Sequence, residues 1–288
     1  MLPRTDMALE SEQRASASGK IEGIIKKERR CKSCGLEVTE ISIVTEEAAG
    51  LIGKPAGKYT TIKCSTGRLY DCSGRERQRA ELLSRELRRM IGHPERILVA
   101  GLGNMKITPD SLGPRTVSGV LATRHLKRLA KDLDTSELAD VSVIGTGVMG
   151  QTGIESAEIV RAVCRETEPE LVLIIDALAC SELSHLGSTV QLCDTGISPG
   201  SGVENARSEL SAATLGVPCV AIGVPTVTDC AVIAETSGGK AAPEYAGMIV
   251  TPKDIDVLVD RSASLIAMGI CRALHPALSQ EELALLTE

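Results

Sequence analysis

The sequence predicts an α/β fold in which a mainly parallel central sheet is covered by helices, and three observations carry that prediction. Short aliphatic runs recur at residues 97–102 (ILVAGL), 141–144 (VSVI), 171–175 (LVLII), 189–193 (TVQLC) and 219–224 (CVAIGV). Most end near Gly, Asp or Thr, and helical stretches at 114–131, 154–168 and 205–214 alternate with them. The runs are apolar on both faces, as expected of parallel strands whose crossover helices cover the sheet on both sides.

Taken in order, residues 1 to about 35 are polar and read as a mobile arm. Residues 38–44 (VTEISIV) alternate like a half-buried strand, and 59–63 (YTTIK) form a second β-rich piece. Residues 75–90 place Leu82, Leu83, Leu87 and Met90 at helical spacing among charges, which predicts an amphipathic helix. A last helix is expected over 251–275, capped by Thr251 with Pro252 in its first turn and Ile255, Leu258, Val259, Leu265 and Ile266 as its apolar stripe. No repeat or linker divides the 288 residues, so one domain is expected: residues 1–6 as a terminal segment, 7–95 packed on the core, and 96–288 as the core itself.

Composition narrows the function. The chain has no Phe or Trp and only three Tyr, so the core must be aliphatic. Its 32 basic and 38 acidic residues are interleaved, with a net charge of −6; that gives neither a nucleic-acid footprint nor a polybasic membrane face. The longest aliphatic run, 171–175, is too short to span a bilayer, and no apolar leader stands at the N-terminus, so a cytoplasmic location is expected. Among ten cysteines, Cys31 and Cys34 have CxxC spacing. Cys64 and Cys72 lie too far apart to complete a zinc site, and free thiols are expected. His93, His125, His185 and His275 form no HExxH, and no GxSxG elbow is present.

Chemistry is therefore expected of carboxylates where strands end, because open parallel sheets gather ligands at their carboxyl edge. Asp110 follows the 97–102 run, Asp176 closes LVLIID, Asp194 closes VQLCD, and Asp229 follows AIGVPTVT. Burial raises a carboxyl pKa and a neighbouring carboxylate raises one of a pair further, so two such acids share a proton and hold a water. For any one of them, helix capping or a solvated loop acid is the plainer reading. Gly145, Gly147 and Gly150 fit GxGxxG, with Asp176 at the end of the next predicted strand as a ribose-binding acid, which is a dinucleotide-enzyme alternative. The triplet at 194–196 (DTG) imitates pepsin-like proteases, but there is one copy in an α/β setting. The ISPGSG loop at 197–202 lacks the Lys-Ser/Thr of a P-loop.

The sequence resembles the germination (spore) proteases at 4–10 (RTDMALE), 57–62 (GKYTTI), 99–117 (VAGLGNMKITPDSLGPRTV), 123–126 (TRHL), 147–160 (GVMGQTGIESAEIV), 173–179 (LIIDALA), 194–203 (DTGISPGSGV), 214–229 (TLGVPCVAIGVPTVTD) and 248–256 (MIVTPKDID). These segments are collinear over most of the chain. The resemblance implies a three-layer sandwich similar to hydrogenase-maturation proteases. It also implies an atypical aspartic endopeptidase, without metal or cofactor, that degrades small acid-soluble spore proteins inside the spore. By motif, TPDSLGP and LIIDALA put the two essential acids at Asp110 and Asp176, with Asp194 and Asp229 as supporting residues. Family members are zymogens that remove their own N-terminal peptide at an acid–aliphatic–Ala–x–acid site; Asp6, Met7, Ala8 and Glu10 fit that site, which places cleavage between Asp6 and Met7. An acid before the bond calls for a cationic pocket, for which Arg115 and Arg124 are candidates. A homotetramer is implied as well, and an inactive relative that binds spore proteins is a further alternative. Ser198 stands where relatives commonly have His, and the 228–248 region is shorter than in many of them.

Overall fold

The computed structural model describes residues 5–65, 67–69, 71, 74–129, 135–200, 208–239, 242, 245 and 247–287. Its centre is a mixed sheet with strand order β1-β2-β3-β7-β8-β6-β4-β5 and a short β9 attached to β8. The strands are β1 (Ile24–Cys31), β2 (Leu36–Ile43), β3 (Gly57–Cys64), β4 (Arg96–Leu102), β5 (Asp140–Gly147), β6 (Leu171–Cys180), β7 (Thr189–Cys193), β8 (Cys219–Asp229) and β9 (Ile249–Val250). The half that carries the long aliphatic runs, β8-β6-β4-β5, is parallel as expected. The other half is antiparallel throughout, from β7 on β8 out to the β1–β2 hairpin.

Helices cover both faces. On one side lie α3 (Glu76–Ile91), α4 (Leu112–Ser118) and α10 (Ile255–Leu274), whose Leu83, Leu87, Leu112, Val117, Val259, Ile266 and Ile270 meet Ile97, Val99, Leu173 and Ile175. On the other lie α1 (Ala8–Ala15), α2 (Glu46–Ile52) and α7 (Ser156–Thr167), packed through Leu9, Ala48, Ile52, Ala157 and Val160 onto Leu98, Ala100, Val172 and Ile174. Alternate residues of β4 and β6 thus enter opposite layers, which is why both strands read as unbroken aliphatic runs. Each such side chain contributes about 1.5–3 kcal/mol by leaving water. β2 serves both layers in turn, with Leu36 and Val38 facing the first and Ile41 and Ile43 the second.

Several expectations are corrected. The N-terminal region is no mobile arm from Asp6 onward: Met7, Ala8 and Glu10 are fully buried, α1 is docked, and β1 closes the sheet. The helix expected over 114–131 is two, α4 and α5 (Arg124–Leu129), broken at Gly119. Between them Thr123 is stitched to β5, donating to the Ala139 carbonyl and accepting from the Val141 N–H. Of the stretch expected over 205–214, residues 205–207 lie outside the described residues and only α8 (Ala212–Leu215) is helical. The last helix starts after Asp254, not at Thr251, whose hydroxyl instead donates to the Thr226 carbonyl. Short helices α6 (Met149–Thr152) and α9 (Cys230–Thr236) and the terminal α11 (Gln280–Thr287) complete the description. No helix among the described residues is long and apolar enough to cross a membrane.

One close approach positions the site. A Cβ on Gly113, in the first turn of α4, would lie 2.2 Å from the Leu102 carbonyl oxygen and 2.5 Å from that of Ile175, so α4 lies against the backbones of β4 and β6 at once. Gly113→Ala is expected to lower stability in urea denaturation by about 2 kcal/mol or more, because the clash is with backbone. Gly150→Ala, with nothing within 4 Å, is the matched control and should be neutral or slightly stabilising.

Candidate active site

Chain order and strand order diverge at one place. From β4 the chain crosses to β5 on one side, then returns to form β6 on the other side of β4. A crevice opens beyond the carboxyl ends of two strands whose following connections leave in opposite directions. The β4–β6 ladder ends at the Gly101–Ile175 pair, and Asp176 is the next residue. It is 5% exposed and faces Gly223 of β8 across the ladder; its Oδ1 accepts from the Ala177 N–H at 2.9 Å. Asp110 sits in a 3-10 turn, Thr108–Asp110, just before α4. Its Oδ2 and its own carbonyl both accept from the Asn104 N–H, at 2.9 and 3.0 Å. Gly103 allows this turn: its φ is 116°, and a Cβ there would meet the Asp110 carbonyl at 2.0 Å.

Asp110 and Asp176 line one cavity of about 390 Å³, together with Leu102, Gly103, Ser156, Thr226 and Asp6. The presence of Asp6 is the telling feature, because it brings the N-terminal segment to the two acids. The Asp6 N–H donates to the Ala179 carbonyl at 3.0 Å, and Asp6 Oδ2 accepts from the Ala179 N–H at 2.8 Å. The segment therefore pairs with the end of β6, just past Asp176. Met7 is completely buried beside Leu178 and Cys180, and Ala8 donates its N–H to Gln191 Oε1 at 2.7 Å. Glu10 is fully enclosed, accepting from the Ser181 N–H at 2.7 Å, the Ser181 hydroxyl, the Glu182 N–H at 3.2 Å and His185 Nδ1 at 2.7 Å.

The other sequence candidates lie elsewhere. Asp194 is exposed and accepts from the Lys58 N–H at 2.7 Å, while Asp229 caps α9 through the Ala231 N–H; neither lines the cavity of the two acids. Arg115 pairs with Asp260, and Arg124 reaches the Glu166 carbonyl at 3.4 Å; neither lines the cavity that holds Asp6. The cation at the segment is Lys54, which sequence reading missed because IGKPAG carries no motif. Lys54 Nζ donates to the Thr5 and Asp6 carbonyls at 3.2 and 3.1 Å. Gln191 was also missed, although an amide inside the buried run TVQLC is itself a signal; its Nε2 donates to the Asp6 carbonyl at 3.2 Å. For GxGxxG, Gly145 and Gly147 lie in edge strand β5 and Gly150 in the four-residue α6. β4 separates β5 from β6, so Asp176 is not on the neighbouring strand that a ribose acid requires. Cys31 and Cys34 flank the β1–β2 turn, and Cys72 lies outside the described residues. Among the described residues no cluster of His, Cys, Asp and Glu is arranged to hold a metal.

With this geometry in hand, comparison with known proteins is decisive. The family model described as germination protease matches residues 2–238. The chain belongs to the germination protease family. A germination protease of Caldanaerobacter subterraneus is 37% identical over 97% of this chain and 96% of its own length. Those of Clostridium tetani and Clostridium perfringens are 36% and 34% identical, covering 98% and 97% of both chains respectively. Among solved structures, a NiFe hydrogenase maturation protease of Thermococcus kodakarensis matches 64% of this chain and 98% of its own, with a TM-score of 0.38 at 20% identity. Family membership makes the chain a peptidase and replaces the dinucleotide alternative.

The Glu10 contact has a defined pH dependence. Burial alone would raise the Glu10 carboxyl, but hydrogen bonds from His185, Ser181 and Thr5 outweigh it and hold the group below its ordinary 4.5. A depressed carboxyl stabilises fully above its unfolded value and loses that contribution as pH falls through the folded value. Hydrogen exchange is thus expected to show α1 amides protected down to about pH 4.5 and released below it. Glu10→Gln should remove about 2 kcal/mol of that protection at neutral pH and flatten the profile.

Proposed function

We propose that the chain is a self-processing aspartic endopeptidase that cuts between Asp6 and Met7 and then cuts small acid-soluble spore proteins at sites of the same pattern, inside the germinating spore. The observation that carries this reading is that Asp6, Asp110 and Asp176 line one cavity. A water between two carboxyl groups loses a proton to one of them as it attacks the Asp6 carbonyl carbon. The other acid protonates the leaving Met7 nitrogen. The base and acid roles are assigned to the two residues together rather than to either one.

Specificity follows from what holds the N-terminal segment. The acid before the bond sits on the Ala179 N–H, the aliphatic after it packs against Leu178 and Cys180, Ala8 is buried with its N–H on Gln191, and Glu10 enters the Ser181–His185 site. A substrate of the same acid–aliphatic–Ala pattern, with an acid two residues beyond the Ala, meets the same four partners. The zymogen reading follows, because residues 6–10 occupy those sites themselves. Activity as a homotetramer and without a cofactor belongs to the same reading and rests on resemblance.

Intact-mass measurement tests it. The native chain is expected to lose residues 1–6. Asp110→Asn and Asp176→Asn should fold, with unchanged circular dichroism, and retain those residues, the processing rate falling by about 10²–10⁴-fold. Trimming by either variant at the native rate would remove that acid from the mechanism.

A further inference from the structure

Asp6 lies where two cavities meet. Asp6 lines the cavity of the paired acids and also a neighbouring one of about 450 Å³ lined by Lys54, Tyr59, Gln191 and Cys193. On this second side the carbonyl oxygen is held by two donors, Lys54 Nζ at 3.1 Å and Gln191 Nε2 at 3.2 Å. Both are placed by rigid elements. Lys54 follows Gly53, whose left-handed φ of 70° closes α2, and the Lys54 N–H itself returns to the Ala49 carbonyl. Gln191 is central in β7, paired with Thr61 on one side and Gly223 on the other. Gln191 also accepts from the Ala8 N–H, so one amide grips the chain on both sides of the bond between Asp6 and Met7.

We infer that Lys54 and Gln191 form the oxyanion-stabilising site of this protease, polarising the carbonyl of the scissile bond from the face opposite the paired acids. This rests on the cleavage reading above and adds the electrophilic half of the reaction to it. As water adds to the Asp6 carbon, its proton passes to the acid pair and negative charge gathers on the carbonyl oxygen. That charge is met by the Lys54 ammonium and the Gln191 amide. The carbon–nitrogen bond then breaks, the proton goes to the Met7 nitrogen, and the carbonyl re-forms as the Asp6 carboxylate, with no net proton transfer to Lys54 or Gln191. Ground-state contacts of 3.1 and 3.2 Å leave room to shorten toward about 2.7–3.1 Å as charge develops, and a contact that strengthens on the way to the transition state is the kind that accelerates a reaction. Burial lowers the pKa of Lys54, opposed by the nearby acids Asp6 and Glu10, so its ammonium is poorly solvated and responds strongly to a nearby anion. A substrate carbonyl bound in place of Asp6 would meet the same two donors.

The test uses the full chain made by cell-free synthesis, with loss of residues 1–6 followed by intact mass from mildly acidic to neutral pH. Lys54→Met and Gln191→Met are near-isosteric and should each slow processing about 10²–10³-fold. Hydrogen exchange of α1 should meanwhile stay protected in both, because Glu10 still anchors it at Ser181 and His185. Processing at the native rate in both variants overturns the inference, and so does a rate that falls only as far as α1 protection falls, which marks the two residues as docking groups. If Lys54→Met melts by circular dichroism, Lys54→Gln takes its place under the same criteria. A native chain that never trims, or an Asp110→Asn chain that does, brings down the cleavage reading instead, and the two failures are distinct in the same data set.

Discussion

The order in which parallel strands pair sets everything else in this protein. β4 and β6 are neighbours although β5 separates them in the chain, and the connections that follow β4 and β6 leave toward opposite sides of the pair. At such a point the connections diverge, and a crevice is left that no helix fills. Gly113 lets α4 rest on both strands at that mouth, and Gly103 lets the preceding turn fold Asp110 back toward it. One acid comes from the loop, the other from the strand, and each is anchored by backbone groups on an element with little freedom to move. That is how a site is pre-organised by its scaffold.

The N-terminal segment shows how a peptide becomes its own ligand. Its polar groups are satisfied by the site rather than by water: Asp6 on Ala179, the Asp6 carbonyl on Lys54 and Gln191, Glu10 on Ser181, Glu182 and His185. A buried carboxylate is costly unless it is hydrogen-bonded from several directions, and Glu10 is. Under the proposed function the same bonds would discriminate the pattern, since an apolar residue at position 10 leaves the Ser181, Glu182 and His185 donors without this acceptor. Under that proposal, specificity and inhibition by the N-terminal segment become two views of one set of contacts.

The two layers of the core are unequal in purpose. The α3–α4–α10 layer is built from large aliphatic side chains and supports the sheet from behind. The α1–α2–α7 layer is richer in Ala and contains the docked segment and the helix end that aims Lys54. A chain without Phe or Trp fills both with Leu, Ile, Val and Ala, whose small steps in volume suit close packing of short helices over a twisted sheet.

The linear order of residues by itself determined the aliphatic strands, the amphipathic α3, the positions of the candidate acids and the acid–aliphatic–Ala–x–acid pattern at Asp6 to Glu10, because each is a local property of spacing and residue type. The family resemblance added which two acids to join. The tertiary structure alone decided that β6 lies beside β4, that the antiparallel half extends the sheet, that the polar N-terminal stretch is buried, and that Lys54 and Gln191 reach one carbonyl. Asp194 and Asp229 look much like Asp110 and Asp176 in sequence, since each comes shortly after an aliphatic run; only strand order separates those at the crevice from those at ordinary turns. Lys54 was illegible for the same reason. Its role depends on contacts 48 and 49 residues away along the chain, and no local pattern encodes which distant backbone a side chain will meet.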